Sequence, residues 1–147
     1  MANKIVLASR SPRRKEILEK LNLKFVIDPP EIDETPRVDE EPTKYVQRIA
    51  AAKADLVALR HDQKDLIIAA DTTVALNDEI FGQPQDIKQA RQMIQKLSGN
   101  THSVLTAVSV RWDGLSANGF DESKVTMREV TSELIILCHR TSGLPKR

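Results

Sequence analysis

Three places in the sequence carry side chains that could bind and act on a polyanion. Residues 9–14, SRSPRR, hold two hydroxyls and three guanidinium groups. Lys53 places an ammonium within a run of apolar residues, and Asp71 places a carboxylate directly after another, followed by the hydroxyls of Thr72 and Thr73. Cationic side chains bind phosphates, while carboxylates bind Mg²⁺ or Mn²⁺ and accept protons. Together these residue types indicate a metal-assisted reaction of a phosphoanhydride.

The basic stretch at residues 9–14 is predicted to join a strand to a helix. Residues 4–8, KIVLA, form a short apolar run, and apolar residues recur at helical spacing after residue 16. Ser11 suits the N-cap, and Pro12 suits the first helical position. The two arginines after Pro12 then lie in the first turn, where they oppose the helix dipole unless an anion binds there. A solvated basic turn is the alternative.

Lys53 lies on the apolar face of a helix predicted over residues 43–60. Apolar residues recur there at three- and four-residue spacing, and Lys53 falls within that stripe. An ammonium in this position either extends along its stem to water or pairs with an anion in a cleft. The sequence leaves both interpretations open.

Asp71 follows residues 66–70, LIIAA, which are predicted to form an interior strand covered on both faces. We expect Asp71 at the carboxyl end of that strand, where ligands gather in α/β sheets, or as a cap on the next turn. An upstream acidic loop could add a second oxygen ligand for a hard cation through Glu31, Asp33 or Glu34. These loop acids could equally be solvated.

The element pattern predicts an α/β domain, with α+β as the alternative, around a mixed sheet flanked by helices. Residues 132–147 give conflicting signals and are left unplaced. The Pro-rich, acidic composition of residues 28–42 predicts an exposed loop. A further helix is predicted to begin after an Asp86 cap and to end at 98–99. Beyond it the patterns predict a strand over 102–112, a turn at 113–114, and another strand near Val125 and Met127.

Composition excludes several classes of function. The 147 residues suit one domain, and the 40% hydrophobic content is sufficient for a core. A net charge of +1 and 3% aromatic residues argue against a nucleic-acid binder. We find no apolar run long enough for a membrane span, and no Walker A motif. The single cysteine, Cys138, is consistent with a reducing cytoplasm.

Four blocks of the sequence, in order, resemble the Maf family of nucleoside triphosphate pyrophosphatases. The resemblance extends from residue 4 to about residue 130 and implies an elongated mixed sheet similar to that of inosine triphosphatases. It also implies hydrolysis between the α and β phosphates, with Mg²⁺ or Mn²⁺. The residues of the third and fourth blocks (70–74 and 90–108) resemble those of the branch that acts on dTTP, UTP and modified pyrimidine triphosphates. The blocks are residues 7–14, 52–54, 70–74 and 90–108.

The resemblance also assigns roles to residues of this chain. It implies that Asp71 accepts a proton from water and, together with Glu34, holds the metal. The implied substrate-binding residues are Ser9, Arg13, Arg14, Lys53, Thr72 and Gln83. Thr72 and Arg13 resemble positions linked to substrate choice.

The sequence departs from the family pattern in two ways. Gln83 stands where members usually carry a lysine, so a neutral amide replaces a cation. Members are typically longer, and the residues after Glu133 do not resemble the family. We therefore expect an incomplete family domain over 1–131, an unrelated tail over 132–147, and an open sheet edge that a second copy could cover as a homodimer. The alternative function is an inactive nucleotide-binding module linked to cell division and septum formation.

Overall fold

The computed structural model describes residues 3–134. Within this range the chain forms a six-stranded sheet and three helices. In chain order the elements are β1 (Ile5–Ala8), α1 (Pro12–Lys20), β2 (Phe25–Ile27), α2 (Pro42–Ala58), β3 (Leu66–Leu76), β4 (Glu79–Phe81), α3 (Ile87–Leu97), β5 (Thr101–Trp112) and β6 (Leu115–Thr126).

The sheet is mixed, which confirms the predicted fold class. Its strand order is β2-β1-β3-β5-β6, and β4 pairs separately with β3. The β1–β2 and β1–β3 pairs are parallel, and the other pairs are antiparallel. The β5–β6 hairpin turns at Asp113 and Gly114, which both have positive φ. This geometry is typical of a two-residue hairpin turn, as predicted at 113–114.

Helix α2 packs across one face of the sheet and builds the core. Many of the buried contact residues are alanines, so the helix backbone can approach the strands closely. One cluster contains Val6, Ala8, Ala54, Val57, Ile67 and Ala69, and a second contains Val46, Ala50, Ala75, Leu105 and Ala107. The predicted apolar stripe of this helix is therefore confirmed.

The helix starts follow the predicted capping. The Ser11 side chain accepts a hydrogen bond from the Arg14 amide, with Pro12 as the first helical residue. Asp86 caps α3 by accepting from the Gln89 amide at 2.7 Å. These short polar side chains satisfy amides that have no partner within the helix.

The prediction that a strand ends at Asp71 is wrong. β3 continues to Leu76, and Asp71 is an interior strand residue paired with Ala107 of β5. The antiparallel pairing with β5 extends from Ile67 to Ala75 and so carries β3 through its polar residues. The short strands β2 and β4 were not predicted, because three residues give too little periodicity.

A gap beside β3 positions the polar residues at the centre of the sheet. β1 ends at Ala8, opposite Ala69, and β4 begins to pair only where Phe81 lies opposite Val74. Within residues 3–134, no strand therefore lies beside residues 70–73 on this side. Asp71 lies beyond the end of its parallel neighbour although its own strand continues.

At the opposite edge of the sheet, all twelve residues of β6 are exposed. The strand predicted near Val125 and Met127 is this one, although it ends at Thr126 and begins at Leu115. No helix among the described residues is long and apolar enough to cross a membrane. Most of the segment 132–147, which the sequence left unplaced, lies outside the described residues.

Candidate functional site

A cavity of about 340 Å³ opens at the gap beside β3. Its walls come from the turn after β1, the loop after β2, helix α2, the exposed edge of β3 and the residues after β4. It is lined by Ala8, Ser9, Arg10, Arg14, Pro29, Pro30, Glu31, Ile32, Glu34, Lys53, Asp71, Thr72 and Gln83.

Arg14 spans the edge of β3 on one side of the cavity. Its guanidinium donates to the Ser9 hydroxyl at 3.1 Å, to the carbonyl oxygen of Ala70 at 3.2 Å and to the Thr72 hydroxyl at 3.0 Å. The Thr72 hydroxyl also lies 3.1 Å from that of Thr106 on β5. These bonds fix the cation at the start of α1, where the helix dipole already favours an anion.

Lys53 lies between two carboxylates on the other side of the cavity. Its Nζ is 2.8 Å from Glu34 Oε1 and 3.1 Å from Asp71 Oδ1. The Lys53 and Asp71 side chains are only 14% and 7% exposed, whereas Glu34 is 49% exposed. Of the two interpretations of Lys53, pairing with anions in a cleft is confirmed.

The loop that carries Glu34 is held against the N-terminal half of α2. The Tyr45 hydroxyl donates to the backbone oxygen of Glu34 at 2.7 Å. Arg48 donates to both carboxylate oxygens of Glu40, at 2.7 and 2.8 Å, and to the backbone oxygen of Thr35. The hydrogen bonds from Arg48 lower the pKa of Glu40 to about 2. The position of Glu34 therefore depends on residues that the sequence did not indicate.

The structure brings most of the predicted site residues to one place. Arg13 is exposed and is not among the residues that line the cavity. Asp33 is not among the lining residues either, and its carboxylate accepts a hydrogen bond from the Thr35 amide at 2.9 Å. Glu31 pairs with Arg10 at 3.0 Å on the exposed rim. The predicted residues that line the cavity are Ser9, Arg14, Glu31, Glu34, Lys53, Asp71, Thr72 and Gln83.

Sequence reasoning missed the apolar part of the wall. Pro29, Pro30 and Ile32 also line the cavity. The composition of this loop predicted only that it is exposed. Its position beside the edge of β3 depends on packing between residues that are distant in the sequence. The signal that could have indicated it is the neighbouring acidic residue Glu34, which the resemblance placed in the site.

The carboxylates of Glu34 and Asp71 fit a divalent cation whose remaining ligands are water and substrate phosphates. No cluster of three or more His, Cys, Asp or Glu residues suited to a metal ion occurs within the described range. Glu34 and Asp71 supply two carboxylates that already share one cation, the Lys53 ammonium. Mg²⁺ is commonly bound by one or two carboxylates, with water and substrate phosphates completing its coordination. The donor set matches that pattern.

The arrangement can therefore hold an anion and accept a proton in one cavity. Asp71 and Thr72 are consecutive on β3, so their side chains point to opposite faces of the sheet. Lys53 approaches from the Asp71 side, and Arg14 from the Thr72 side. A phosphate chain lying across the strand edge would meet Arg14 on one face of the sheet, and Lys53 with the Asp71 carboxylate on the other.

Comparison with known proteins adds family and fold information. A family model described as Maf-like protein matches residues 4–143. A protein named dTTP/UTP pyrophosphatase from Myxococcus xanthus is 43% identical over 127 residues, covering 86% of this chain and 61% of that protein. The protein of the same name from Pyrococcus furiosus is 40% identical over 132 residues, covering 90% and 68%. The chain thus spans about three-fifths of the length of the first relative.

Two solved structures share the fold at low sequence identity. A nucleoside-triphosphatase / dITP/XTP pyrophosphatase from Mycobacterium abscessus superposes with a TM-score of 0.57 at 16% identity, covering 84% of this chain and 73% of that one. The Ham1 protein of Staphylococcus aureus gives a TM-score of 0.54 at 16% identity, covering 84% and 70%. These likenesses support the α/β architecture alone.

Proposed function

The chain belongs to the Maf family, and we propose that it hydrolyses pyrimidine nucleoside triphosphates such as dTTP and UTP to the monophosphate and pyrophosphate. The name shared by its relatives supports this substrate class. The observation that carries the proposal is the cavity beside β3, where Arg14, Lys53 and Asp71 converge. An enzyme of this kind would remove unwanted or modified nucleotides from the cellular pool.

Arg14 and Lys53 are proposed to bind the triphosphate from the two faces of the sheet. Phosphoryl transfer depends mainly on positioning and on neutralising charge, so two cations in the cavity provide much of what the reaction needs. Ser9 and Thr72 add hydroxyls beside Arg14, and Gln83 adds an amide from the segment after β4. Arg13, exposed one residue before Arg14, is proposed to contact phosphates that extend beyond the cavity.

Asp71 is proposed to act as the general base. A water molecule on the cavity side of the carboxylate gives its proton to Asp71 as its oxygen bonds to the α-phosphorus. The bond from that phosphorus to the oxygen bridging the β-phosphate breaks, and pyrophosphate leaves with the electron pair. Before nucleotide binds, Lys53 orients the Asp71 carboxylate through the contact at 3.1 Å.

A divalent cation, Mg²⁺ or Mn²⁺, is proposed to bind at the carboxylates of Glu34 and Asp71. When bound, such an ion neutralises charge that develops on the phosphates during cleavage. Glu34 can reach it because the Tyr45 and Arg48 contacts hold the loop beside α2. Glu34 therefore depends on α2 for its place in the site.

A substrate panel tests the proposed reaction. The chain is incubated with Mn²⁺ and dTTP, UTP, 5-methyl-UTP, ATP or GTP, and the monophosphate and pyrophosphate are quantified. We expect faster turnover of the three pyrimidine nucleotides. Background turnover of all five would reject hydrolysis. Saturable nucleotide binding without turnover would favour the inactive regulatory module.

We also propose that the chain acts in the cytoplasm, where nucleoside triphosphates are made and used. A second copy is the proposed partner at the exposed edge strand β6, giving a homodimer. Light scattering coupled to size-exclusion chromatography measures the mass in solution. A mass of about 16.5 kDa at all concentrations would reject the dimer.

A further inference from the structure

Lys53 lies between the two carboxylates that are proposed to hold the metal ion. Its Nζ lies 2.8 Å from Glu34 Oε1 and 3.1 Å from Asp71 Oδ1, so it already neutralises both carboxylates. The Lys53 side chain, which projects from α2, is 14% exposed, and Asp71 is buried on β3. These two groups are therefore partly shielded from water, and their pairing matters more than that of a surface pair.

We propose that Lys53 is a built-in counter-ion that keeps the metal position closed until nucleotide binds. In this arrangement the ammonium moves from the carboxylates to the phosphates when nucleotide enters, and only then are the carboxylates available to a divalent cation. The inference rests on the proposed function, because it assumes that the anion entering the cavity is a nucleotide polyphosphate.

Steric and electrostatic reasons prevent the two cations from sharing the position. Mg²⁺ binds oxygen at about 2.0–2.1 Å and requires near-octahedral geometry. An ammonium about 3 Å from the same two oxygens fills the space between them, and its charge repels the ion. A metal ion that arrives alone must therefore displace Lys53 without providing a new partner for it.

A nucleotide provides that partner. The lysine stem has four carbons and several rotatable bonds, so the ammonium can move while its helix stays in place. Glu34, Asp71, Arg14 and Gln83 line the same cavity, so phosphates bound there lie within reach of the ammonium. Metal and nucleotide should then each strengthen the binding of the other, since coupling between two ligands is reciprocal.

Manganese binding in the absence of nucleotide tests the proposal. Free Mn²⁺ is followed by electron paramagnetic resonance during titration of the wild-type chain, Lys53→Met and Lys53→Gln. Both variants remove the charge, and Gln retains a donor toward Asp71. We expect weak binding to the wild type, with a Kd of about 1 mM or above, and at least tenfold tighter binding to both variants. Melting temperatures establish that each variant is folded.

Lys124→Met is the matched control. Lys124 pairs with Glu122 at 2.9 Å on the exposed strand β6, away from the cavity, so its loss should leave Mn²⁺ binding unchanged. Tight binding of Mn²⁺ to the wild-type chain in the absence of nucleotide would overturn the proposal. This result does not depend on whether the variants fold. Equal or weaker Mn²⁺ binding to the folded Lys53 variants would also overturn it.

These outcomes are separable from those of the substrate panel. Turnover of pyrimidine nucleotides with no gain in Mn²⁺ affinity in the variants would leave the proposed function standing and reject the counter-ion role. Tighter Mn²⁺ binding in the variants without turnover in the wild type would support the counter-ion role and reject the hydrolase.

Discussion

Two consecutive residues of β3 divide the chemistry of the cavity between them. Asp71 faces α2, where it contacts Lys53, and Thr72 faces α1, where it contacts Arg14. This division requires only the alternation of side chains along an extended strand and a gap in the neighbouring strand. The edge of β3 therefore presents an acid on one face and a fixed cation on the other.

We predict that Asp71→Asn lowers the turnover of UTP by about 10² to 10⁴-fold while the affinity for nucleotide changes by less than about tenfold. The amide keeps the shape of the side chain, but it cannot accept a proton. Single-turnover kinetics and calorimetry with a non-hydrolysable dUTP analogue measure the two effects. Asp33→Asn, in a loop acid outside the cavity lining, is the control. An unchanged rate for Asp71→Asn would remove Asp71 from the mechanism.

A second prediction separates the two adjacent arginines. Arg14 lines the cavity and Arg13 does not, so we expect Arg14→Met to lower kcat/KM at least about tenfold more than Arg13→Met. The expected scale is that of a charged hydrogen bond, about 1.5–3 kcal/mol. Steady-state rates with UTP measure both variants. Equal losses, or a larger loss for Arg13→Met, would contradict the placement of the substrate beside Arg14.

The sequence indicates Lys53 more clearly than it distinguishes the arginines. A charged residue within an apolar helical stripe is visible from spacing alone, although its partners are not. Arg13 and Arg14 have the same residue type and adjacent positions, and only the rotation of α1 against β3 decides which one enters the cavity. That rotation depends on packing between residues distant in the chain.

At the scale of elements, the loop between β2 and α2 is attached at both of its ends. Asp28 lies 2.7 Å from His61 and 2.9 Å from Arg60, and the hydrogen bond with His61, followed by the charge of Arg60, lowers the pKa of Asp28. At the other end, Arg48 holds Glu40 through two hydrogen bonds. The loop thus follows α2 from its C-terminal end to its N-terminal end. Composition predicted an exposed loop here but could not predict these attachments.

The Arg48–Glu40 contact predicts a pH dependence of stability. The pKa of Glu40 is lowered from 4.5 to about 2 in the folded chain, so the contact stabilises the fold fully above pH 4.5. This contribution is lost as the pH falls from 4.5 toward 2. We expect Glu40→Gln to be less stable than the wild type at pH 6, with a difference that decreases below pH 4.5.

Urea denaturation between pH 3 and pH 7 measures this difference. Glu41→Gln is the control, because Glu41 meets Lys44 at 3.8 Å in an exposed pair that should contribute little. A difference between the wild type and Glu40→Gln that stays constant down to pH 3 would contradict the assigned contact.

For the whole molecule, alternating strand and helix patterns were sufficient to predict a mixed sheet flanked by helices. The position of the cavity was not predictable in this way. It arises because β1 stops at Ala8 while β3 continues to Leu76, and strand lengths of this kind are decided by pairing with β5. The predicted division into 1–131 and a separate tail stays a prediction, since residues 135–147 lie outside the described part of the chain.

Product analysis of a single turnover tests the proposed activity most directly. The chain in excess is mixed with dTTP and Mn²⁺, and the products are identified by phosphorus NMR for the wild type and for Asp71→Asn. We predict dTMP and pyrophosphate in equal amounts from the wild type, and almost none from the variant over the same time. Release of dTDP and inorganic phosphate, or equal product from both proteins, would contradict cleavage between the α and β phosphates at the Asp71 site.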